Sequence, residues 1–508
     1  MILHIFLLSL PILIFSFYIL HKNKNPDKTV VPPGPPGLPL IGNIHQLAKV
    51  KSPHLYFFQL SKKYGPLIHL KLGPKRLLVV SSAKLAEQVL KTQDLAFCSR
   101  PQHLAQQILS YNRTDIIFSP YNEYWREVRK IAVINLFSIK KLQSFRPIRD
   151  DEIARLVTKI SGLASLRRVV NLSEMATVLG TNLICRIAFG KRYDEQGSEK
   201  RRFDELLHET QGLGACVFIS DYFPRIGYWV DKLNGSIGRL DATFKKFDSF
   251  YQEIIDEHLC RNKRTDDEED DDILDVLIKL REHKAASCSV DLTWDNIKAL
   301  LLDIFVAGSD TSSVAIVWTM TALVKAPDVM HKVQAEIRDL IMIGDKGKVD
   351  EDDLPKLPYL KAVINESFRV YPPVPLVLPR ETIERCTLDG YEIEPKTLVY
   401  INAWAIARDP EYWENDPHEF LPERFLDSNI DIKGQDFGVI PFGSGRRACP
   451  GMLMGLANVE LVVANLLYSF DWGLPDGVET KDVDTEALHG LAVHKKNPLL
   501  LVPKNYVV

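Results

Sequence analysis

The chain has 508 residues, of which 46% are hydrophobic and 25% are charged, and its formal net charge is −3. This apolar fraction is typical of a folded globular protein and excludes wholesale disorder. A net charge near zero argues against a strongly basic nucleic-acid-binding protein, so we expect no nucleic-acid partner. The seven cysteines are scattered and form no CxxC pair, which argues against a disulfide framework and favours a reducing compartment.

The amino-terminal segment Met1–Leu20 is apolar over about the 20 residues that a membrane-spanning helix needs. His21, Lys22 and Lys24 follow, and positive charge at this point favours a cytosolic position for the rest of the chain. A cleaved signal peptide would need a basic start and a small-residue cleavage site, and neither is present. We therefore predict a transmembrane signal-anchor helix at residues 1–20.

The segment after the anchor is first basic and then rich in proline. Val31–Asn43 reads VPPGPPGLPLIGN, and this density of proline excludes a helix or a central strand. Residues 21–43 are therefore predicted to be a linker, which as a stiff spacer would also orient the body on the membrane. Because no second segment of this kind occurs, residues 44–508 are predicted to form a single large domain.

Helical patterns predominate in this domain, for example at Ala83–Thr92, Tyr121–Leu136 and Pro327–Ile343. The seven consecutive acids Asp266–Asp272 are predicted to be a solvated loop, because like charges repel one another. Short strand patterns occur at residues 68–72, 76–80, 387–388, 391–393, 397–401 and 499–502. The sequence thus predicts a mainly α protein with small β-sheets.

Cys449 lies in the segment Pro441–Gly451, PFGSGRRACPG, directly before the long apolar helical pattern Met452–Phe470. Pro450 is expected at the first helical position, which proline favours. The free amide groups and the dipole of that helix N-terminus should then stabilise an anion. We therefore expect a lowered pKa and a thiolate at Cys449.

The neighbours of this cysteine indicate what the thiolate would bind. Gly443, Gly445 and Gly451 lack side chains, so a bulky flat group could approach closely, and Arg447 could pair with a carboxylate of that group. These features suit a haem iron and its propionates. Two alternatives stay open on this segment alone: a buried inert cysteine, and a dinucleotide-binding GxGxxA fingerprint at residues 443–448, which lacks the strand–helix unit it requires.

The pattern F-x-x-G-x-R-x-C-x-G, formed by Phe442, Gly445, Arg447, Cys449 and Gly451, resembles the haem-binding signature of the cytochromes P-450. Its spelling resembles the plant A-type microsomal group, and the resemblance covers essentially the whole chain. It implies the cytochrome P-450 fold, a single haem-binding domain behind an N-terminal membrane helix. It also implies haem b (iron protoporphyrin IX) as cofactor, with Cys449 as the ligand of the iron.

Glu366 and Arg369, in KAVINESFRV, are three residues apart in a predicted helix, so their side chains can pair on one face. A surface salt bridge is the simpler interpretation, but the apolar neighbours favour burial. Arg424 lies further on in PERF. The resemblance assigns the three residues to a structural network that supports the haem-binding core.

A long helix is predicted from a cap at Thr293 to about Lys325, and its nearly uniform apolar surface indicates burial. Gly308, near its middle, weakens the helix, and room for a ligand would justify that cost. Asp310 and Thr311 follow as an acid beside a hydroxyl, although a kink with a back-bonded threonine is an alternative. By resemblance, Thr311 and Asp310 are catalytic and help to deliver protons during oxygen activation.

Three further residues resemble the family's contacts to the haem propionates. Trp125 and Arg129 are four residues apart and can reach one target, although packing plus a surface charge would also explain them. Arg380 follows the proline-rich turn Pro372–Pro375. The resemblance assigns all three to cofactor binding.

The resemblance implies a haem-thiolate monooxygenase that inserts one oxygen atom from O2 into a lipophilic small molecule. In plants this is typically a specialised metabolite such as a terpenoid, phenylpropanoid, alkaloid or aldoxime. The alternative is an oxygen-independent dehydratase or isomerase, which the retained Thr311 disfavours. Since the chain has no nicotinamide or flavin motif, electrons must come from a partner. The resemblance implies that NADPH supplies them through NADPH-cytochrome P-450 reductase, with cytochrome b5 as a further candidate partner. Arg126, Lys130 and Arg446 are expected to form part of the docking face.

Family layout also suggests where the substrate lies. Apolar substrate-facing residues are expected within Phe97–Phe118, Phe305–Ala307, Val374–Val377 and Gly490–Ala492. The same resemblance implies a single-pass protein of the endoplasmic reticulum membrane, in contact with membrane lipid and with its catalytic domain in the cytosol.

Overall fold

The fold is that of a computed structural model, which describes residues 31–193, 206, 209, 212–213, 216, 218–261, 271–282, 290–426, 428–488 and 490–506. The predicted anchor at residues 1–20 and the first part of the predicted linker, residues 21–30, lie outside these described residues.

Helices make up most of the described chain and small sheets accompany them, as predicted. The α-helices of the described residues, α1 to α18 in chain order, are Ile44–Leu47, Pro53–Tyr64, Ala83–Glu87, Asp94–Phe97, Leu104–Leu109, Glu123–Asn135, Ile139–Ser144, Arg146–Ser165, Leu172–Phe189, Ile219–Tyr222, Pro224–Leu233, Ser236–Arg261, Ile273–Glu282, Trp294–Lys325, Pro327–Ile343, Pro358–Val370, Ala403–Ile406 and Met452–Ser469. A π-helical turn is formed by Gln88–Thr92, and 3₁₀ turns are formed by Leu354–Lys356, Pro422–Phe425, Gly445–Arg447 and Thr480–Asp482.

The strands pair into small sheets, and the predicted strand segments are confirmed with shifts of a residue or more at their ends. The strands, β1 to β11, are Leu67–Leu72, Lys75–Val80, Val170–Asn171, Arg380–Glu381, Cys386–Leu388, Tyr391–Ile393, Leu398–Ile401, Phe470–Gly473, Ala487–Leu488, His494–Lys495 and Leu500–Asn505. One sheet has the order β1-β2-β7-β4, in which β7 runs parallel to β2, and a second has the order β3-β11-β8. The hairpins β5-β6 and β9-β10 each form a two-stranded sheet.

The predicted long helix is confirmed as α14, and it crosses the core of the protein. The Thr293 side chain accepts a hydrogen bond from the Asn296 amide, and the Asn296 side chain accepts one from the Thr293 amide, so this cap fixes where the helix begins. Helix α14 packs on α9, where a Cβ atom on Gly180 would lie 2.5 Å from the Ser309 carbonyl oxygen. The glycine therefore allows the two backbones to approach closely.

Helices α14 and α18 are both long and apolar enough to cross a membrane by length and composition. However, 72% and 67% of their most apolar windows are buried inside the protein. Both helices contribute to one hydrophobic core cluster, in which side chains of α14, α16, α18 and the β3-β11-β8 sheet pack together. Their apolar character is therefore explained by burial in a large domain.

The proline-rich segment at residues 31–43 has no helix or long strand, as its composition predicts, but it is fastened to the sheet. The Pro33 carbonyl accepts a hydrogen bond from the His69 amide at 2.9 Å. The Asn43 amide donates to the Lys71 carbonyl at 2.6 Å, and the Asn43 side chain accepts from the Lys71 amide at 2.9 Å. This part of the predicted linker is thus a fixed extension of the body along β1.

The prediction of a solvated loop for the acidic run is wrong for its last two residues, and Asp266–Asp270 lie outside the described residues. Asp272 is buried, and His258 Nε2 lies 2.9 Å from its Oδ2 atom. Asp271 pairs with Lys279 at 2.8 Å. These two acids precede the first turn of α13, where negative charge is favourable, so local cations and the helix dipole outweigh the mutual repulsion.

Candidate functional site

The loop around Cys449 is closed by its own backbone, but the helix after it begins later than predicted. Helix α18 begins at Met452, with Gly451 as its N-cap, so Pro450 is not the first helical residue. The first helical hydrogen bond is donated by the Gly455 amide to the Gly451 carbonyl at 2.9 Å, which places Cys449 outside the first turn. Further back, the Cys449 amide donates to the Phe442 carbonyl at 2.9 Å.

Residue Cys449 has accessible surface, although enough protein lies around its thiol for desolvation to act on it. Burial raises the pKa of this thiol, while the Gly451 amide and the positive charge of Arg129 act in the opposite direction. The predicted net lowering of the thiol pKa is therefore wrong, because desolvation outweighs the nearby amide and the charge of Arg129. A bound metal cation would deprotonate such a thiol outright.

Buried cations are concentrated beside the cysteine loop. Arg447 is buried and donates to the carbonyls of Cys98 at 2.8 Å and Ser119 at 2.6 Å. Its guanidinium carbon lies 3.9 Å from the centre of the Trp125 ring, and that of Arg129 lies 5.5 Å from the same ring. Burial and the charges of Arg380 and Arg129 together lower the pKa of Arg447 to about 9, although Cys98 and Asp115 act in the opposite direction.

Arg129 and Arg380 complete the contacts predicted around this loop. Arg129 donates to the Ala448 carbonyl at 2.6 Å, which ties α6 to the residue before Cys449. Arg380 is buried, pairs with Asp94 at 2.7 Å and donates to the Ser444 carbonyl at 2.9 Å. Its Nε atom is buried without a hydrogen-bond partner among the described residues.

Arg100 is a residue of this cluster that the sequence analysis missed. It is buried and donates to the carbonyls of Ile117 at 2.9 Å and Pro379 at 2.7 Å. Burial lowers its pKa, and the charges of Arg447 and Arg380 lower it further. The available signal was a single arginine two residues after the apolar run that ends at Cys98.

The cluster fits the acidic side chains of a haem. Its buried arginines face few acids within the described residues, chiefly Asp94 and Asp115, so a further anion would relieve their mutual repulsion. Two propionate groups supply such charge, and the unpartnered Nε atom of Arg380 is a free donor for one of them. Together with an accessible thiol, the donor set matches a thiolate-ligated haem.

The glycines of the signature do not all clear space for a ligand. Gly445 has a φ of +70°, and a Cβ atom there would lie 2.1 Å from the Leu90 carbonyl oxygen and 2.8 Å from Asp94. A glycine is thus required at position 445, because the turn needs a positive φ and because residues 88–94 approach its backbone closely. Gly443, with a φ of +66°, has its nearest neighbour at 3.6 Å and leaves more open space, and Gly451 would contact only Phe137, at 3.7 Å.

The middle of α14 contains an accessible strip within a buried helix. Ala307 is exposed, and Thr311, one turn later, is half-buried and donates through Oγ1 to the Ala307 carbonyl at 2.8 Å. The threonine is thus back-bonded, as the alternative interpretation held. Asp310 is nearly buried, and its Oδ1 atom lies 2.7 Å from Nε2 of His494.

One expectation for this helix is wrong. A Cβ atom on Gly308 would lie 2.5 Å from Cδ1 of Ile184, so this glycine allows packing against α9 and gives no room to a ligand. Within the expected substrate-facing segment Phe305–Ala307, Ala307 is exposed, whereas Phe305 is only 1% exposed and its ring lies 6.4 Å from that of Phe189 in the core. Gly308 and Phe305 both point toward the neighbouring helix, which helical periodicity alone could not reveal.

Asp303, two turns before Asp310, holds the loop that carries several contacts of the arginine cluster. Its Oδ2 atom accepts hydrogen bonds from the amides of Ile116 at 2.7 Å and Ile117 at 3.2 Å. The Ile116 carbonyl in turn accepts from the Trp125 indole at 2.9 Å. Burial and the adjacent Asp115 carboxyl raise the pKa of Asp303, so the two acids favour a shared proton.

The predicted pairing of Glu366 with Arg369 is present, and it is fully buried. Two hydrogen bonds join the side chains at 2.6 and 2.7 Å, and Arg369 also donates to the Pro417 and Glu419 carbonyls. Nε of Arg424 lies 3.6 Å from the Glu366 carboxylate. This network fixes α16 against residues 414–425, and it lies outside the loop that surrounds Cys449.

The sequence comparisons agree with this geometry. The family model for Cytochrome P450 matches residues 32–502. The chain belongs to the cytochrome P450 family. It is 48% identical to 6,7,8-trihydroxycoumarin synthase of Pastinaca sativa, with 97% of each chain covered, and 47% identical to strychnine-11-hydroxylase of Strychnos nux-vomica, with 98% of this chain and 96% of that relative covered.

Solved structures of the family share the fold. A zebra fish cytochrome P450 in complex with progesterone superposes with a TM-score of 0.76 at 26% identity, covering 89% of this chain and 99% of that one. The predicted fold class, haem cofactor and monooxygenase activity are confirmed by this membership. The oxygen-independent alternative is not favoured, because relatives include a named hydroxylase.

The buried network around Glu366 yields a stability prediction. Glu366→Gln keeps the shape of the side chain but leaves the Arg369 charge uncompensated, and we expect it to lower the free energy of unfolding by about 3–5 kcal/mol. Urea titration of the haem-loaded protein measures this loss. The control is Lys130→Met, which breaks an exposed pair with Glu127 at the same spacing and should change stability by no more than about 0.5 kcal/mol. Equal effects of the two substitutions would contradict a supporting role for the buried network.

Proposed function

We propose that this cytochrome P450 hydroxylates a lipophilic plant specialised metabolite at a haem held by Cys449. The observation that carries the proposal is the accessible Cys449 thiol beside buried arginines that lack enough acids to balance their charge. When bound, the thiolate-ligated haem supplies the oxygen activation on which hydroxylation depends. The relatives named 5-OH-xanthotoxin synthase and strychnine-11-hydroxylase support a hydroxylation of this kind.

The residues of the chain have separate roles in this proposal. Cys449 ligates the iron, and its loop is closed by the Phe442 carbonyl and turned at Gly445 and Gly451. The side chains proposed to hold the propionates are those of Trp125, Arg129, Arg380 and Arg447, with Arg100 added by the structure.

The proton-transfer groups are proposed to lie on α14. Thr311 presents a hydroxyl on the accessible strip of α14, and Asp310 presents a carboxyl on the next residue. We assign proton transfer to these two groups. Glu366, Arg369 and Arg424 support the domain that positions them.

Replacing the proposed ligand tests the proposal directly. Cys449→Ser should abolish the carbon-monoxide difference spectrum that is characteristic of thiolate ligation, because a serine hydroxyl is a much poorer donor to iron. Cys260→Ser, at an exposed cysteine of α12, is the matched control and should leave the spectrum unchanged. A thiolate spectrum that persists in Cys449→Ser would contradict the assignment.

The proposed redox partner is NADPH-cytochrome P-450 reductase, with cytochrome b5 as a second candidate. Arg126 and Lys130 are exposed on α6, the helix that also carries Arg129 against the cysteine loop. Arg446 is half-exposed but pairs with Asp94 at 3.2 Å, so part of its charge is neutralised. A basic face at this position would steer an acidic partner toward the Cys449 side of the haem.

Charge reversal tests the docking face. The double substitution Arg126→Glu with Lys130→Glu should raise the KM for reductase several-fold and weaken its dependence on salt, because complementary charges are lost. Lys504→Glu, an exposed reversal on β11, is the control. If the wild type, the double variant and Lys504→Glu show equal reductase-supported turnover across a salt series, this surface is not the docking face.

The proposed location is the endoplasmic reticulum membrane, with the body in the cytosol. Helix α11 exposes large apolar side chains, among them Trp229 at 61% and Leu233 at 87% exposure. Its start lies at the β1–β2 turn, where Phe223 contacts Gly73, and the exposed Leu40 is held nearby through residue 42. This apolar surface is near the point where the chain leaves toward residues 1–20, which supports a second contact with lipid.

Fluorescence quenching tests this contact. In the full-length protein in nanodiscs, brominated acyl chains should quench the emission of Trp229, and Trp229→Phe should remove that quenched component. Trp472→Phe, a half-buried tryptophan of β8, serves as control and should leave it unchanged. An identical quenched fraction in wild type and Trp229→Phe would show that α11 does not enter the membrane.

A further inference from the structure

The acid on α14 has a partner from a distant part of the chain. His494 lies on β10, and its Nε2 atom is 2.7 Å from Oδ1 of Asp310. The hairpin is fixed directly before the contact, since the Trp318 indole donates to the Val493 carbonyl at 2.8 Å and the Val493 amide donates to the Pro373 carbonyl at 2.9 Å. The contact therefore belongs to the packed fold.

The two partners differ in their access to solvent. The side chain of His494 is 37% exposed, whereas that of Asp310 is 11% exposed. The imidazole thus connects a nearly buried carboxyl group with water. Thr311, the other proposed proton carrier, donates its hydroxyl hydrogen bond to the Ala307 carbonyl. Among the described contacts, the Thr311 hydroxyl is therefore not bonded to Asp310.

Charge around the pair favours a protonated imidazole. The hydrogen bond and negative charge of Asp310 raise the pKa of His494, while burial acts in the opposite direction. The adjacent lysines of the hairpin are engaged elsewhere, Lys495 with Asp484 at 2.9 Å and Lys496 with Glu486 at 2.5 Å.

Among the described residues, the titratable Tyr371 packs against the cluster that includes Ala492 of the hairpin, and its ring stacks on Trp318 with centroids 4.6 Å apart. Asp310 is therefore the acid that sets the charge state of His494 among the described residues.

We propose that His494 is the positioning residue that holds Asp310 and renews its proton from solvent. The imidazolium gives its Nε2 proton to the Asp310 carboxylate, and the neutral imidazole then takes a proton from water, so charge and atoms balance without a further reactant. The inference rests on the proposed function, because it names a residue that serves the same site.

The first experiment measures the contact without turnover. Full-length, haem-loaded protein carrying ¹³C-labelled histidine is titrated by NMR in its diamagnetic ferrous carbon-monoxide form. The signal that His494→Gln removes should titrate above the ordinary histidine pKa of about 6.5, and Asp310→Asn should lower that pKa. A pKa that is ordinary and insensitive to Asp310→Asn overturns the proposal, even if His494→Gln proves unstable and the signal is assigned by other means.

The second experiment measures proton supply with NADPH and dioxygen as the only probes and reductase in excess. His494→Gln should lower the rate of dioxygen consumption by about 10-fold and enlarge its solvent deuterium isotope effect. The wild-type rate should fall as the pH rises through the pKa of His494, because the protonated ring is the donor, and His494→Gln should lose that step. His494→Arg keeps the ion pair but cannot release a proton, so it should retain stability without restoring the rate.

The control for both experiments is His331→Gln, at an exposed histidine of α15. Unchanged rate, isotope effect and pH profile in His494→Gln would overturn the proposal, because a merely structural contact would leave them alone. A protein that loads haem but hydroxylates no metabolite would count against the proposed function alone, since neither experiment needs a metabolite.

Discussion

The thiol of Cys449 is the group on which the rest of the site depends. Protein surrounds it, and this burial raises its pKa, so the chain alone favours the neutral thiol. A thiolate in this position needs a cation, and in the proposed function a haem iron would supply it. The protein contributes the Gly451 amide and the Arg129 charge, which oppose the cost of burial, and it leaves Cys449 with accessible surface.

Charge balance explains the architecture around that sulfur. The structure buries several arginines beside the cysteine loop and gives them carbonyl oxygens as hydrogen-bond partners, which satisfies their donors without neutralising their charge. Asp94 neutralises part of this positive charge by pairing with Arg380 and Arg446. In the proposed function the remaining positive charge would be matched by the haem propionates, so folding and cofactor binding are expected to be coupled.

Local sequence patterns correctly predicted the features that depend on residues close together in the chain. The Cys449 signature, the helix cap at Thr293 and the pairing of Glu366 with Arg369 are set by spacing within one segment, and the structure contains all of these local features. Features that depend on distant segments were missed or misread. Gly308 faces Ile184, Arg100 reaches carbonyls some 280 residues away, and His494 meets Asp310 across the fold. Periodicity cannot show which element lies opposite a side chain, whereas the resemblance to the family did supply the fold.

The central claim is that sulfur of Cys449 ligates the iron, and X-ray absorption at the iron edge of the purified haem-loaded protein tests it most directly. The account predicts one sulfur neighbour in the first coordination shell of the iron, beside the porphyrin nitrogens. A shell that contains only nitrogen and oxygen neighbours would contradict it.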